Sequence, residues 1–442
     1  MRRRVLLISY DPVGAEMSGM GIRASELARV LCEHADVTVA HGGRSADPLG
    51  GIETVAFRPH DPAPLRPLVA RADAVISHPV WPGLSGWLRR SPARVIHDLY
   101  VPETFETLEL LAGRPAIARR VMGDATLDRL HDALRTGHHF VCASEKQRDL
   151  WLGSMLALRL IDPRAYDCDS TMRSVIDVVP FGVPATPPPA DAAARPGPRE
   201  LFEQVGDDAE LVLWNGGIWN WLDAETAVRA VAALAQRRPR LRLVFMGGSQ
   251  QLAARAATER ARAVAGELGV LDRTVLFHGG WVPYEERATW LAQADCAIST
   301  HREHLETRFA FRTRLLDCFW AGLPVVCTEG DDLANRVARE QLGATVAPGD
   351  PIAAAGALER VLDRGRAHYA QALARAAADH AWERVARPLV RWVCADEQPA
   401  RPGDAAGATA PSAGQRARSL AYRLGGRHAL IRAARLRASA GG

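Results

Sequence analysis

Lysine is almost missing from this chain: Lys146 stands alone among 442 residues, so 54 of the 55 basic side chains are arginine. That scarcity points to a GC-rich bacterial genome. Long apolar runs are missing too. No stretch nears the ~20 residues that a membrane span needs. The run Val5 to Ile8 ends at Ser9-Tyr10-Asp11-Pro12, short of the ~7–15 residues of a signal-peptide core, and it reads as a first strand. Paired cysteines are absent as well. Cys32, Cys142, Cys168, Cys296, Cys318, Cys327 and Cys394 form no Cys-x-x-Cys, which argues against a zinc site and for free thiols in a reducing cytoplasm. Acid is lacking in one place, Gln415 to Gly442, which holds seven arginines and neither Asp nor Glu. Without those charges the net +4 becomes −3, so the protein is not broadly basic and general nucleic-acid binding is excluded. No short internal repeat is visible.

What remains is ordinary for a folded protein: 48% hydrophobic and 24% charged residues. A chain this long exceeds one ordinary core, so two domains are expected. Strand-like runs at 5–9, 36–40, 74–77, 94–97 and 140–143 alternate with helical patterns such as 22–32 and 118–134. A second series at 211–214, 241–246, 274–277, 296–299 and 325–327 alternates with helices at 224–235 and 312–321. Short β-rich runs between helices imply parallel sheets covered on both faces. The fold class is therefore α/β, with two Rossmann-like doubly wound domains facing a central cleft. The expected division is 1–183, a Pro-rich linker at 184–198, 199–381, a C-terminal helix within 382–397 that packs back on the first domain, and a disordered linker with a basic tail at 398–442. In such sheets ligands bind outside the carboxyl ends of strands, so the chemistry belongs in the loops that follow them.

Four such loops stand out. Gly19 and Gly21 open the helix after the first strand, where backbone N–H groups can approach a phosphate; the same pattern suits a tight turn without a ligand. His97-Asp98 closes a strand and offers a proton-transfer group, or a hydrogen-bonded turn. Asn215-Gly216-Gly217 leaves the first strand of the second domain, followed by Trp219 and Trp221, which can stack on a ring or pack internally, with Asp223 as a helix cap. The fourth runs from His301 to Val326. Its Arg312 and Arg314, near a helix start, suit a diphosphate, and Asp317 suits ribose hydroxyls.

Over residues 1–395 these pieces, taken in order, resemble the family 4 retaining glycosyltransferases of bacteria, the group 1 type built on the GT-B fold. The resemblance also takes in Phe140 to Arg148, Val178 to Val183, Gly280 to Tyr284 and Asp317-Cys-Phe-Trp-Ala-Gly-Leu-Pro324. It implies sugar transfer, hexosyltransferase-like, from a nucleotide-sugar co-substrate with the anomeric configuration kept. His97 would contact the donor sugar, and no metal or other cofactor would be required. The family carries two glutamates eight positions apart. Asp317 fills the second place, as the group that holds the ribose, and Phe309 stands at the first, so Glu306, or next Glu303, is the substitute acid. The Arg and Lys that the family places after the glycine turn are replaced here by tryptophans and asparagine, and Arg312 with Arg314 would take over that clamp. Asp167-Cys-Asp169 fits an Asp-x-Asp metal motif but lies outside its usual context.

The acceptor would be a saccharide, a lipid-linked molecule or a small metabolite, in polysaccharide or glycolipid assembly or secondary-metabolite glycosylation. The tail from Ser419 to Arg437 mixes arginines with Leu, Ile and Tyr. It suits either a disordered segment or peripheral contact with the inner face of the plasma membrane. Two other functions stay open on the same scaffold: a nucleotide-sugar hydrolase or epimerase, and a non-catalytic nucleotide-sugar-binding protein.

Overall fold

A computed structural model describes residues 2–14, 17–43, 49–59, 61–80, 82–248, 252–396, 401–402, 417 and 420. The chain divides into two units: Met1–Phe181 with Val385–Gly442, and Gly182–Arg384.

The first unit holds β1 (Arg4–Ser9), β2 (Asp36–His41), β3 (Glu53–Ala56), β4 (Ala74–Ser77), β5 (Arg94–Asp98), β6 (His139–Cys142) and β7 (Ile176–Val178). All are parallel, in the order β3-β2-β1-β4-β5-β6-β7. The second holds β8 (Glu210–Trp214), β9 (Leu241–Phe245), β10 (Val275–Phe277), β11 (Cys296–Ser299), β12 (Val325–Thr328) and β13 (Gly343–Val346), parallel in the order β10-β9-β8-β11-β12-β13. Both are doubly wound Rossmann-like sheets in which the order reverses beside the first strand. The central strands are apolar throughout because helices cover both faces; Val5 to Ile8 and Leu211 to Trp214 are all buried.

The expected strands and the helix Ala224–Ala235 are present, with Asp223 as its cap: Oδ1 accepts from Thr226 N at 3.1 Å. The strands β3, β7 and β13 have no counterpart in the sequence reading. β3 and β13 are edge strands, and β3 is partly exposed. Residues 184–198 are more than a spacer. Gln293 Nε2 donates to the carbonyls of Ala193 and Arg195, and Trp320 Nε1 to that of Thr186, so the segment lies along the second unit. The C-terminal helix comes as two pieces, Trp382–Val385 and Arg387–Cys394, the second with proline in its first turn. That second piece belongs to the first unit. Leu389 and Val393 are buried, Trp392 stacks on His139 at 4.3 Å, and Arg94 Nη2 donates to the Ala395 carbonyl at 3.0 Å. The basic tail lies outside the described residues apart from Arg401, Pro402, Ala417 and Leu420.

Candidate functional site

In the second unit the strand order reverses between β8 and β11, and the loops after those two strands carry the candidate residues. After β8 the chain turns through Gly216 at φ +110°, a conformation that side chains rarely adopt. The turn is clasped to the helix Arg314–Trp320 by two opposed bonds. Asn215 Nδ2 donates to the Arg314 carbonyl at 2.7 Å, and Arg314 Nη2 donates to the Gly217 carbonyl at 2.8 Å. Asn215, Gly216, Gly217 and Arg314 are thus one cluster. Within it Asn215 Oδ1 and Arg314 Nη1 are buried and have no hydrogen-bond partner. Burial, helped by the neighbouring Arg312 charge, pulls the Arg314 pKa down to about 10. Arg314 is therefore a cation short of partners, which favours an arriving anion. One turn later, Asp317 accepts from Arg287 Nε at 3.1 Å and keeps a partly exposed carboxylate.

Arg312 and Glu306 stand apart from this cluster in chemistry. They face each other as a buried fork, Nη1–Oε1 at 3.0 Å and Nη2–Oε2 at 2.7 Å, with Thr307 Oγ1 at 3.2 Å. Each neutralises the other, so the expected clamp rests on Arg314, and Glu306 offers no free carboxylate. Arg312→Ala is therefore expected to cost about 3–5 kcal/mol of stability by leaving Glu306 buried and unpaired. Arg314→Ala should leave the melting temperature nearly unchanged; thermal scans of the two variants separate these roles. Trp219 and Trp221 stack on one another, centroids 5.1 Å apart and planes 1° apart.

In the first unit, His97 and Asp98 are the last two residues of β5, the strand end that the sequence suggests. His97 is fully buried against Phe140, with Nδ1 3.3 Å from the Ser77 carbonyl, and burial lowers its pKa to about 4. Asp98 is held by Arg23, Nε–Oδ2 at 2.6 Å and Nη2–Oδ1 at 3.1 Å, while Arg23 also donates to the carbonyls of Val179 and Pro180. Neither side chain is available to a ligand. The histidine just beyond a strand end is His78, after β4, whose Nδ1 donates to the Asp98 carbonyl at 3.0 Å. Opposite lies the loop after β1, where burial raises the Asp11 carboxyl and His78 opposes that shift. The sequence reading passes over His78; the end of the Ala74–Ser77 strand is the signal that points to it. Of the two early glycines, Gly21 is required by close approach, since a Cβ there would lie 2.2 Å from the Pro12 carbonyl oxygen, whereas at Gly19 it would meet only Tyr100 Oη at 3.4 Å.

Among the described residues no group of three or more His, Cys, Asp or Glu is placed to hold a metal ion. Asp169 accepts from Thr171 N and Oγ1 and from Ser174 N, as a turn cap does.

Residues 209–364 match the family described as glycosyl transferases group 1. The D-inositol 3-phosphate glycosyltransferase of Acidothermus cellulolyticus is 28% identical over 306 residues, covering 66% of this chain and 60% of that protein. The protein of the same name from Salinispora tropica is 26% identical over 422 residues, covering 86% and 82%. Among solved structures, sucrose-phosphate synthase of Thermosynechococcus elongatus superposes with TM-score 0.62 at 18% identity, covering 88% of this chain and 97% of that one. Anabaena HepE in complex with UDP and glucose gives 0.60 at 12%, covering 88% and 99%. The family match thus lies within the second unit, over residues 209–364, and the two doubly wound sheets share the two-domain Rossmann-like fold of the GT-B structures, so the chain resembles the group 1 glycosyltransferases.

Proposed function

We propose that the protein transfers a sugar from a nucleotide-sugar donor to an acceptor hydroxyl with retention of anomeric configuration, the second unit holding the donor. The observation that carries this is the clasp of Asn215, Gly217 and Arg314, which leaves a buried guanidinium N–H without a partner beside a glycine turn at the sheet's switch point. In this reading Arg314 meets the diphosphate, Asp317 the ribose, and His78 takes the donor-sugar contact first expected of His97. The leaving diphosphate helps deprotonate the acceptor, with charge balanced by fixed dipoles and arginine rather than by a metal. HepE, solved with UDP and glucose, supports the donor class. Both relatives are named for D-inositol 3-phosphate, which is the first acceptor to try, before saccharide and lipid-linked ones. No described helix is long and apolar enough to cross a membrane; action in the cytoplasm, in polysaccharide, glycolipid or metabolite assembly, belongs to the same proposal.

The test is a thermal-shift screen against UDP, GDP, ADP and dTDP and their sugar forms, since a ligand of the native state raises its melting temperature. One nucleotide is expected to shift the wild type, and Arg314→Ala to weaken it roughly 10- to 100-fold. No shift with any of them sinks the donor reading. A second reading, a non-catalytic binding protein, is favoured by Phe309 standing in place of an acid while Glu306 is held by Arg312. Acceptor-dependent release of nucleotide separates the two, and release without acceptor marks a hydrolase.

A further inference from the structure

Asp317 is held from a second element. Arg287, at the start of the helix Arg287–Gln293, donates from Nε to Asp317 Oδ1 at 3.1 Å and from Nη1 to the Tyr284 carbonyl at 2.8 Å. Its guanidinium carbon sits 3.5 Å from the Tyr284 ring centroid and 4.6 Å from that of Trp320. A planar cation held over two aromatic rings and by two hydrogen bonds has little freedom to turn, so the carboxylate it grips is oriented as well as charged. Arg287 is buried, while the Asp317 side chain keeps 29% of its exposure. The carboxylate is therefore anchored from within and still reachable from outside.

We propose that Arg287 is a positioning residue that fixes the Asp317 carboxylate as acceptor for the vicinal diol of a ribose, so that the site selects ribonucleotide over 2′-deoxyribonucleotide donors. The inference rests on the nucleotide-sugar reading above. A carboxylate can accept from both hydroxyls of a diol, and losing the 2′-hydroxyl leaves part of that acceptor unmatched. The arrangement works only while Asp317 is ionised. Burial pushes its carboxyl upward, and the Arg287 charge and hydrogen bond, with Arg314 beyond, hold it back. The other groups around it do not replace Arg287. Cys318 lies on the same helix. Arg366, from the packed helix Arg366–Asp379, is engaged by the carbonyls of Leu291, Ala292, Ala294 and Ala321.

The experiment is calorimetric titration of the full-length protein with UDP, GDP and ADP, each against its 2′-deoxy form, from pH 8 to pH 5. Wild type is expected to favour one ribonucleotide roughly 10- to 100-fold over its deoxy form, as befits a hydrogen bond to a charged acceptor, and to hold that ratio across the range. Arg287→Met should lose the ratio toward pH 5 and recover part of it at pH 8. Arg287→Lys should keep the flat pH profile with a smaller ratio, since it restores charge without the planar fork. Asp317→Asn, isosteric and uncharged, should lose discrimination at every pH, and it carries the test if Arg287→Met does not fold. An unchanged ratio and pH profile in Arg287→Met, an unchanged ratio in Asp317→Asn, or a wild type indifferent to the 2′-hydroxyl overturns this proposal and leaves the donor reading standing. A wild type that binds none of the three nucleotides overturns both.

Discussion

Asp98→Ala is expected to unfold the first unit rather than to yield a folded, inactive enzyme. Arg23 is fully buried, and its guanidinium has Asp98 as counter-ion, with the Val179 and Pro180 carbonyls and the Tyr100 ring completing its surroundings. Removing the carboxylate strands a cation in the core, at about 3–5 kcal/mol. That is a large part of the ~5–15 kcal/mol that a domain has in total. Hydrogen-exchange mass spectrometry resolves the effect by segment: protection should fall across β1, β4 and β5 while β8 to β13 keep theirs. Exchanging both partners, Arg23→Met with Asp98→Leu, should recover much of the loss, because no charge is then left unpaired. A folded Asp98→Ala protein with wild-type protection and no activity would instead return Asp98 to the chemistry.

Acid should weaken the same unit. His97 and His139 are lowered to about 4 and His138 to about 3, in each case mainly by burial; the Arg401 and Arg94 charges add to the effect at His138. A histidine lowered from 6.5 is neutral in the folded protein at a pH where the unfolded chain already binds its proton. Stability is therefore full above about pH 7 and falls as the pH drops from about 6.5 through 4. Each tenfold drop in proton affinity on folding is worth about 1.4 kcal/mol, so three such groups together cost several kcal/mol in acid. His138 has a visible reason: its Nδ1 accepts from Val95 N–H at 2.9 Å, and a proton there breaks that bond. Urea unfolding from pH 8 to pH 4 checks the slope, and His138→Gln should shift the onset to lower pH. A stability flat down to pH 5 would mean that the buried rings are hydrated.

The architecture was legible because alternation of short apolar runs with amphipathic stretches is a local property that tertiary contacts seldom override. β3 escaped because Glu53-Thr-Val-Ala56 is half-polar at an edge, and Ile176-Asp-Val178 because three residues carry no period. The site was legible where local backbone demanded it: Asn215-Gly216-Gly217 reads as a special turn, and Gly216 has the positive φ. It was not legible where side chains choose partners. Arg312 and Arg314 look alike in sequence, yet one forks onto Glu306 while the other gives a single bond to the Gly217 carbonyl. His97-Asp98 does close a strand, but the sequence carries no sign that each side chain has a buried partner there.

The second unit begins and ends at one point. Val183 N donates to the His380 carbonyl at 2.8 Å and Trp382 N to the Val183 carbonyl at 3.0 Å, and a Cβ at Gly182 would lie 2.6 Å from the Trp382 ring. In the order of the chain it is an insert: it interrupts the first unit between Phe181 and Val385, and its own start and finish are already fastened together. Such a piece is portable. A coding segment cut at 182 and 384 should yield a protein that closes on itself, and the same two positions are where a foreign sequence could replace it without parting the host's ends.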